Sequence, residues 1–266
     1  MSKKTKKKDE TMWTSTTGLP SWKQSPVDLS PMYTLHQNFP PLVLQGHLSS
    51  KSCAKMTNTG NTVKIEFPEG REPIVRGGPL QSDEYRFGEL QFRWGPSDAR
   101  GAEHSVDGVC RFIERFSMEA QAVHWNTSYG SPDKCYERDD GIAVVAFLFQ
   151  VIGCQGMVDN PDFACIADNL SRIKIPDRSV ELPPGCLNWM ADACSKPGYY
   201  TYNGSLSTPP YTECVTWIVI PRSVKISARQ ANAFRDIYNS QGERILRNFR
   251  SQQKIHERKV YLATEY

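Results

Sequence analysis

The chain has 266 residues, 39% of them hydrophobic, which is enough to close one large core in a single domain. No apolar run approaches the roughly 18 to 20 residues that a membrane helix needs, so no transmembrane segment is predicted. The formal net charge of +3 comes entirely from residues 1–10, and the neutral remainder argues against a nucleic-acid-binding domain.

The first residues form a basic segment. We predict a disordered tail over residues 1–12, followed by one domain over residues 13–266. The tail either docks on an acidic surface, such as a membrane, an RNA or an acidic protein segment, or is a solvated arm. It contains no apolar stretch with a cleavage-like site, so no secretory signal is predicted and the protein is expected to be cytoplasmic. The candidate partner-binding lysines are Lys3, Lys4, Lys6, Lys7 and Lys8.

Alternating apolar and polar residues predict strands in the first half of the chain. Residues 42–67 are typical of strands and hairpins broken by turns. Two longer alternations follow, at 89–95 and 116–126, and each predicts a strand with one packed face and one face toward a cavity. Four side chains fall on the polar faces, where burial requires that they satisfy each other's hydrogen bonds. They are Gln91, Arg93, Glu119 and Gln121.

The second half predicts two buried strands and two helices. Residues 141–151 are nearly all apolar, which indicates a strand inside the sheet, and residues 214–220 predict another. Asn160 and Pro161 predict the start of a helix that ends by Pro176. Ser227 and Gln230 form a capping-box pattern that opens a second helix. The expected inward residues are Phe163, Ile166, Ala167, Leu170 and Ile173 in the first helix, and Ala231, Phe234, Ile237 and Tyr238 in the second.

Seven separated motifs carry a family resemblance. They are QSPVD at 24–28, GGPL at 77–80, FxWG at 92–95, GxEHxVD at 101–107, VHWN at 123–126, DGIAV at 140–144 and SLSTPP at 205–210. In this order and spacing the chain resembles the α-class carbonic anhydrases from about Gln24 to its C-terminus. The resemblance implies a β-dominated α/β fold in one domain, with a central, mostly antiparallel twisted sheet, short peripheral helices and a conical cleft.

The metal site of that family is altered at every ligand. The family binds zinc through three histidines, and the matching positions here are Gln91, Arg93 and Gln121. Glutamine is a poor zinc ligand, and a guanidinium donates hydrogen bonds but cannot coordinate a metal. A single positive charge about 4 Å from a divalent ion costs roughly 8 kcal/mol even at an effective dielectric of 20. We therefore expect no zinc and no other cofactor.

Other parts of the family's active site are partly retained. The position of the proton-shuttle histidine matches Asn61, which cannot relay a proton near neutral pH. The hydroxyl that orients the zinc-bound hydroxide matches Ser207, and the carboxylate that holds this hydroxyl matches Glu103. The chain thus resembles the catalytically silent carbonic anhydrase-related proteins. The apolar wall of the carbon dioxide pocket matches Val123, Val144, Leu206, Val215 and Trp217.

A buried arginine at a former ligand position needs an anion. We expect an ion pair between Arg93 and either Glu119 or Glu103, supported by Gln91 and Gln121. The alternative is that Arg93 and the two amides bind a small carboxylate or phosphate ligand.

The histidines and most of the cysteines are expected to have no role in metal binding. His104 and His124 match the family's structural histidines, whereas His36, His47 and His256 are expected at the surface. The eight cysteines match no zinc spacing, so most are expected to be small core residues. Secreted members of the family usually carry a cysteine after the Thr-Pro-Pro motif, where this chain has Tyr211.

The function expected from these features is that of a pseudoenzyme. We expect the protein to be a non-catalytic carbonic anhydrase-related protein that serves as an intracellular protein-interaction or structural scaffold module. The first alternative is residual carbonate dehydratase or esterase activity at an atypical metal site, and the second is small-anion binding in the cleft. A Ser-His-acid hydrolase built on Ser207 and Glu103 is disfavoured, because the chain has no G-x-S-x-G pattern around this serine.

Overall fold

The computed structural model describes residues 22–48, 51–106, 116–151, 158–195 and 197–264. The predicted tail over residues 1–12, the five candidate lysines and the start of the predicted domain lie outside the described residues. Among the described residues, no helix is both long enough and apolar enough to span a membrane.

The described residues form fourteen strands and four short α-helices. The strands are β1 Asp28–Leu29, β2 Thr34–Gln37, β3 Val43–Gln45, β4 Ala54–Asn58, β5 Val63–Glu66, β6 Ile74–Arg76, β7 Glu84–Trp94, β8 Ser105–Val106, β9 Met118–Asn126, β10 Ile142–Val151, β11 Ser179–Leu182, β12 Tyr199–Gly204, β13 Val215–Ile226 and β14 Val260–Ala263. The helices are α1 Pro132–Cys135, α2 Pro161–Ala167, α3 Met190–Ala193 and α4 Ala228–Arg235. Four 3₁₀ turns cover Pro31–Tyr33, Gly78–Leu80, Thr127–Tyr129 and Leu170–Ile173.

Twelve of these strands form one large sheet. Its main order is β11-β4-β5-β7-β9-β10-β13-β12-β14-β2, and β6 joins β3 to β7 at one side. Most neighbours are antiparallel, whereas the β10–β13 and β14–β2 pairs are parallel. A separate two-stranded parallel ladder joins β1 to β8. The predicted fold class, a strand-dominated domain with few short helices, is confirmed.

The core covers both faces of the central strand β10. Phe147 and Phe149 face the aromatic cluster that contains Phe163 of α2 and Phe234 of α4. The intervening residues of β10 face a second apolar cluster that contains Trp217. Burying a large apolar side chain stabilises the fold by roughly 1.5 to 3 kcal/mol. A strand covered on both faces therefore gives the sheet a rigid centre, beside which β9 and β7 carry the polar side chains.

Both predicted helix starts are present, but the helices are shorter than expected. The side chain of Asn160 accepts a hydrogen bond from Asp162 N at the start of α2, and Ser227 and Gln230 form the capping box of α4. α2 ends at Ala167, and the chain continues as a 3₁₀ turn at Leu170–Ile173. The five inward residues predicted for this segment are nevertheless buried. Ile237 and Tyr238 follow the end of α4, and only Ile237 is buried.

Candidate functional site

The pairing of β7 with β9 brings the four predicted polar side chains together. Gln91 lies opposite Gln121, and Arg93 lies opposite Glu119 in the antiparallel ladder. Gln91 is half-buried, whereas Arg93, Glu119 and Gln121 are at most 3% exposed. These groups are therefore removed from water and depend on protein partners for their hydrogen bonds.

Arg93 is held by the neighbouring residues of its own strand. Its Nη2 donates to Gln91 Oε1 at 2.7 Å, and its Nη1 donates to the carbonyl of Phe92 at 3.4 Å. Its Nε lies 3.5 Å from Glu103 Oε1, but the geometry does not make a hydrogen bond. The guanidinium thus has a carboxylate beside it and keeps one buried N–H without a hydrogen bond.

Glu103 reaches the strands because its loop approaches them closely. The N–H groups of Gly101 and Ala102 donate to the carbonyl of Phe116 at 3.1 and 3.2 Å. A Cβ on Gly101 would lie 1.8 Å from the carbonyl oxygen of Ser117, so only glycine allows this approach. The carboxylate of Glu103 then accepts from Gln121 Nε2 at 2.7 Å and from the N–H of Arg250 at 2.8 Å.

Glu119 does not pair with Arg93, so this alternative of the predicted ion pair is wrong. Its carboxylate accepts from the N–H groups of Glu103 and His104 at 2.9 and 2.8 Å, and from Gln121 Nε2 at 2.9 Å. It also contacts His104 Nδ1 at 2.9 Å. Burial alone would raise the pKa of Glu119, but His104 and these hydrogen bonds outweigh it and hold the pKa below its ordinary value. Glu119 is therefore a fully bonded carboxylate that fixes the loop carrying Glu103.

His104 has the structural role expected for it. Its Nε2 lies 2.7 Å from the hydroxyl of Tyr202, which donates to Ser25 Oγ at 3.0 Å. His104 thus links Glu119 to β12 and to the N-terminal segment.

Two adjoining cavities form the cleft in front of Arg93. The inner cavity measures about 370 Å³ and the outer one about 740 Å³. Both are lined by Gln91, Arg93, Ser207, Thr208 and Pro209, so the two spaces are continuous. The polar cluster therefore faces a cleft wide enough for a small molecule.

The predicted apolar wall lies largely where expected. Four of the five side chains line the inner cavity: Val123, Val144, Leu206 and Trp217. Val215 does not line it; this residue is fully buried in the core and pairs with Ile142 of β10. Asn61 is exposed at the outer cavity, where its carbonyl accepts from Asn248 Nδ2 at 3.1 Å.

The predicted pairing of Ser207 with Glu103 is not formed. Ser207 is 8% exposed and lines both cavities. Within the described part of the chain, however, the hydrogen bonds to the carboxylate of Glu103 come from Gln121 and Arg250. The amide of Gln121 therefore bonds Glu103 where the hydroxyl of Ser207 was expected.

The side chains at the three positions predicted to match zinc ligands do not fit zinc. Gln91 and Gln121 offer amides, and the guanidinium of Arg93, which donates to Gln91 on its own strand, has no lone pair to give. Both hydrogen bonds of the Gln121 amide nitrogen go to carboxylates, at 2.7 and 2.9 Å. In the ranges that the structure covers, no three His, Cys, Asp or Glu side chains are grouped closely enough to hold a metal ion.

A buried histidine pair was missed by the sequence analysis. His47 is 1% exposed, so its predicted surface position is wrong, and its Nε2 lies 2.9 Å from Nε2 of His124. Burial lowers the pKa of His47 to about 4 and that of His124 well below its ordinary value. The isolated His47 has no periodic pattern around it, and its partner is 77 residues away, so no local signal could have shown the contact. His36 and His256 are exposed, as expected.

The mouth of the cleft has arginines that the sequence analysis did not single out. The outer cavity is lined by Arg244, Arg247 and Arg250 in addition to Arg93. They come from the irregular segment that follows α4, where the sequence shows no strand or helix pattern.

Known proteins match the chain over most of its length. The family model for eukaryotic-type carbonic anhydrases matches residues 8–264. Carbonic anhydrase 1 of Oryctolagus cuniculus is 33% identical over 253 residues, which cover 90% of this chain and 97% of that protein. Carbonic anhydrase 3 of Bos taurus is 33% identical over 217 residues, which cover 79% of this chain and 77% of that protein. The extent of these matches and the strand-dominated fold agree: the chain belongs to the eukaryotic-type carbonic anhydrase family.

Proposed function

We propose that this protein is a non-catalytic member of its family, a cytoplasmic module that binds a protein partner or serves as a structural scaffold. The observation that carries the proposal is the position of Arg93, a buried cation on the strand that would present zinc ligands. Zinc catalysis of hydration uses a metal-bound hydroxide as the nucleophile. Without a donor set for the metal, the described residues of the cleft offer no group that could generate this nucleophile.

The surrounding contacts support the same proposal. Gln121 bonds both Glu103 and Glu119, and Arg250 bonds Glu103. Hydrogen bonds of this kind fix a rigid cavity wall without any metal ion. A rigid domain without catalytic activity can still bind a protein partner. The basic segment with its five lysines would add affinity for an acidic surface on the partner.

The test is metal content and activity measured on the same samples. We expect the purified protein to carry no stoichiometric zinc by mass spectrometry and to show no carbon dioxide hydration by stopped-flow. The triple variant Gln91→His, Arg93→His, Gln121→His should gain zinc and some hydration activity. A matched triple variant, Gln91→Asn, Arg93→Lys, Gln121→Asn, changes the same positions without adding imidazoles and should gain neither.

The same measurement decides against the alternative enzyme function. Stoichiometric zinc with measurable hydration in the unaltered protein would overturn the proposal and place an atypical metal site in this chain. In that case the unaltered protein would already have the zinc and the hydration activity that the histidine variant is designed to introduce.

A further inference from the structure

The charged side chains that line the outer cavity of the cleft are arginines. Among the described residues, four arginines line it and no aspartate or glutamate does. Arg93 stands at its base, and Arg244, Arg247 and Arg250 stand around its mouth. Like charges close together are unfavourable unless an anion compensates them.

Two of the arginines at the mouth have no carboxylate of their own. Arg244 lies 3.4 Å from Asp236. For Arg247 and Arg250, no carboxylate oxygen of the described residues lies within 4 Å of the guanidinium nitrogens. Arg247 Nη2 donates to Ser251 Oγ at 3.4 Å, and Arg250 Nη1 donates to the carbonyl of Ser25 at 2.7 Å. Both guanidinium groups therefore keep N–H donors and a full positive charge for a ligand.

Aromatic rings orient these two side chains. The guanidinium carbon of Arg247 lies 4.4 Å from the ring centre of Phe249, and that of Arg250 lies 3.8 Å from the ring centre of Tyr211. Stacking of this kind restricts the plane of the guanidinium group and leaves its in-plane N–H groups available. The mouth is thus prearranged to bind an anion.

The charge and the size of the cavity indicate the ligand class. A monocarboxylate would neutralise one of the two arginines that lack a carboxylate, whereas a phosphate monoester carries about −1.5 to −2 charges and three strong acceptor oxygens. A volume of about 740 Å³ admits a sugar-sized organic group attached to the phosphate. We propose that the outer cavity binds a small phosphate-bearing anion, with its phosphoryl group between Arg247 and Arg250. This inference rests on the proposed function, because it takes Arg93, and no metal ion, as the cation at the base of the cleft.

Calorimetric titration of the full chain tests the proposal. The probes are inorganic phosphate and glucose 6-phosphate, with glucose and succinate as comparisons that lack the phosphoryl group. Both phosphates should bind, glucose should not, and succinate should bind more weakly. If the ester binds more tightly than inorganic phosphate, the cavity also recognises the organic group; if the two are equal, it recognises the phosphoryl group alone.

A charge-matched pair of variants locates the site. Arg247→Gln should weaken binding of glucose 6-phosphate at least about fivefold, which corresponds to roughly 1 kcal/mol. Arg71→Gln removes an exposed arginine outside both cavities and should leave binding unchanged. Equal effects of the two changes, no binding of either phosphate at millimolar concentration, or equally tight binding of succinate would overturn the proposal. Zinc content measured on the same samples separates this outcome from a failure of the proposed function.

Discussion

Glu119 lies directly opposite Arg93 in the β7–β9 ladder but bonds to His104, fifteen residues earlier in the chain. Arg93 instead has Glu103 as its nearest carboxylate, at 3.5 Å. The two acidic residues therefore have separate tasks: Glu119 fixes the loop and Glu103 faces the cation. This division makes different substitutions informative about different parts of the site.

Arg93→Ala should lower the free energy of unfolding by about 3 kcal/mol, because removal of one partner leaves Glu103 as a buried charge beside an empty space. Urea denaturation followed by fluorescence measures the change. Arg86→Ala on the same strand is the control, since Arg86 is half-buried, stacks on Trp125 and should cost about 1 kcal/mol or less. A loss for Arg93→Ala no larger than that of the control would contradict the role given to Arg93.

Glu119→Gln should destabilise the fold by about 3 kcal/mol, because every described partner of this carboxylate is an N–H donor or a histidine nitrogen and an amide nitrogen cannot accept their hydrogen bonds. The same denaturation assay measures the loss. Glu137→Gln changes an exposed carboxylate and should be nearly neutral. Equal stability of the two variants would show that the loop does not depend on Glu119.

Acidification should destabilise the protein through His47 and His124. The folded-state pKa of His47 is about 4 and its ordinary value is 6.5, so between these values the unfolded chain binds a proton that the folded chain does not. Stability is then lost as the pH falls below about 6.5, by about 2 kcal/mol for His47 at about pH 5, and the lowered pKa of His124 acts in the same direction. Denaturation curves at neutral pH and at about pH 5 give the difference.

His47→Gln isolates this contribution. Glutamine can still bond to His124 but does not titrate, so the loss of stability on acidification should be smaller in this variant. His36→Gln removes an exposed histidine and should leave the pH dependence unchanged. If the two variants respond alike to pH, the buried pair is not the source of the acid sensitivity.

The buried thiols should be unreactive in the folded protein. Burial raises the pKa of Cys186 and of Cys214 to about 12, and both side chains are at most 1% exposed. Iodoacetamide near neutral pH should therefore label the partly exposed Cys53 before these two, as read by peptide mass spectrometry. Labelling in denaturant should make the three alike, and fast native labelling of Cys214 would contradict the packing described here.

Strands and helix starts could be predicted because their signals are local. The alternation at 89–95 indicated β7, although the strand begins earlier, at Glu84, because Gly88 interrupts the pattern at a shift in register. β13 likewise runs on to Ile226, past Pro221, where the pairing with β10 is irregular. In both strands the hydrogen-bonded pairing continues beyond an irregular position at which the alternation of apolar and polar residues stops.

The polar site was only partly predictable because the hydrogen-bond and ion-pair partners of its side chains depend on the folded structure. Period-two alternation placed Gln91, Arg93, Glu119 and Gln121 on one side of the paired strands. The carboxylate that lies beside Arg93 is determined by how closely the loop at Gly101 approaches Ser117. This distance cannot be read from the spacing of residues in the sequence. The arginines at the mouth depend in the same way on the course of the irregular segment after α4.

The central charge of this cleft is part of the polypeptide. A bound ion can be withdrawn by a chelator, replaced by another metal or missing when the cell is short of it, whereas the guanidinium of Arg93 is present as soon as the chain is made. The positive charge of Arg93 therefore does not depend on loading a metal ion. The electrostatic character of the cleft is complete upon folding, whatever the supply of metal around it.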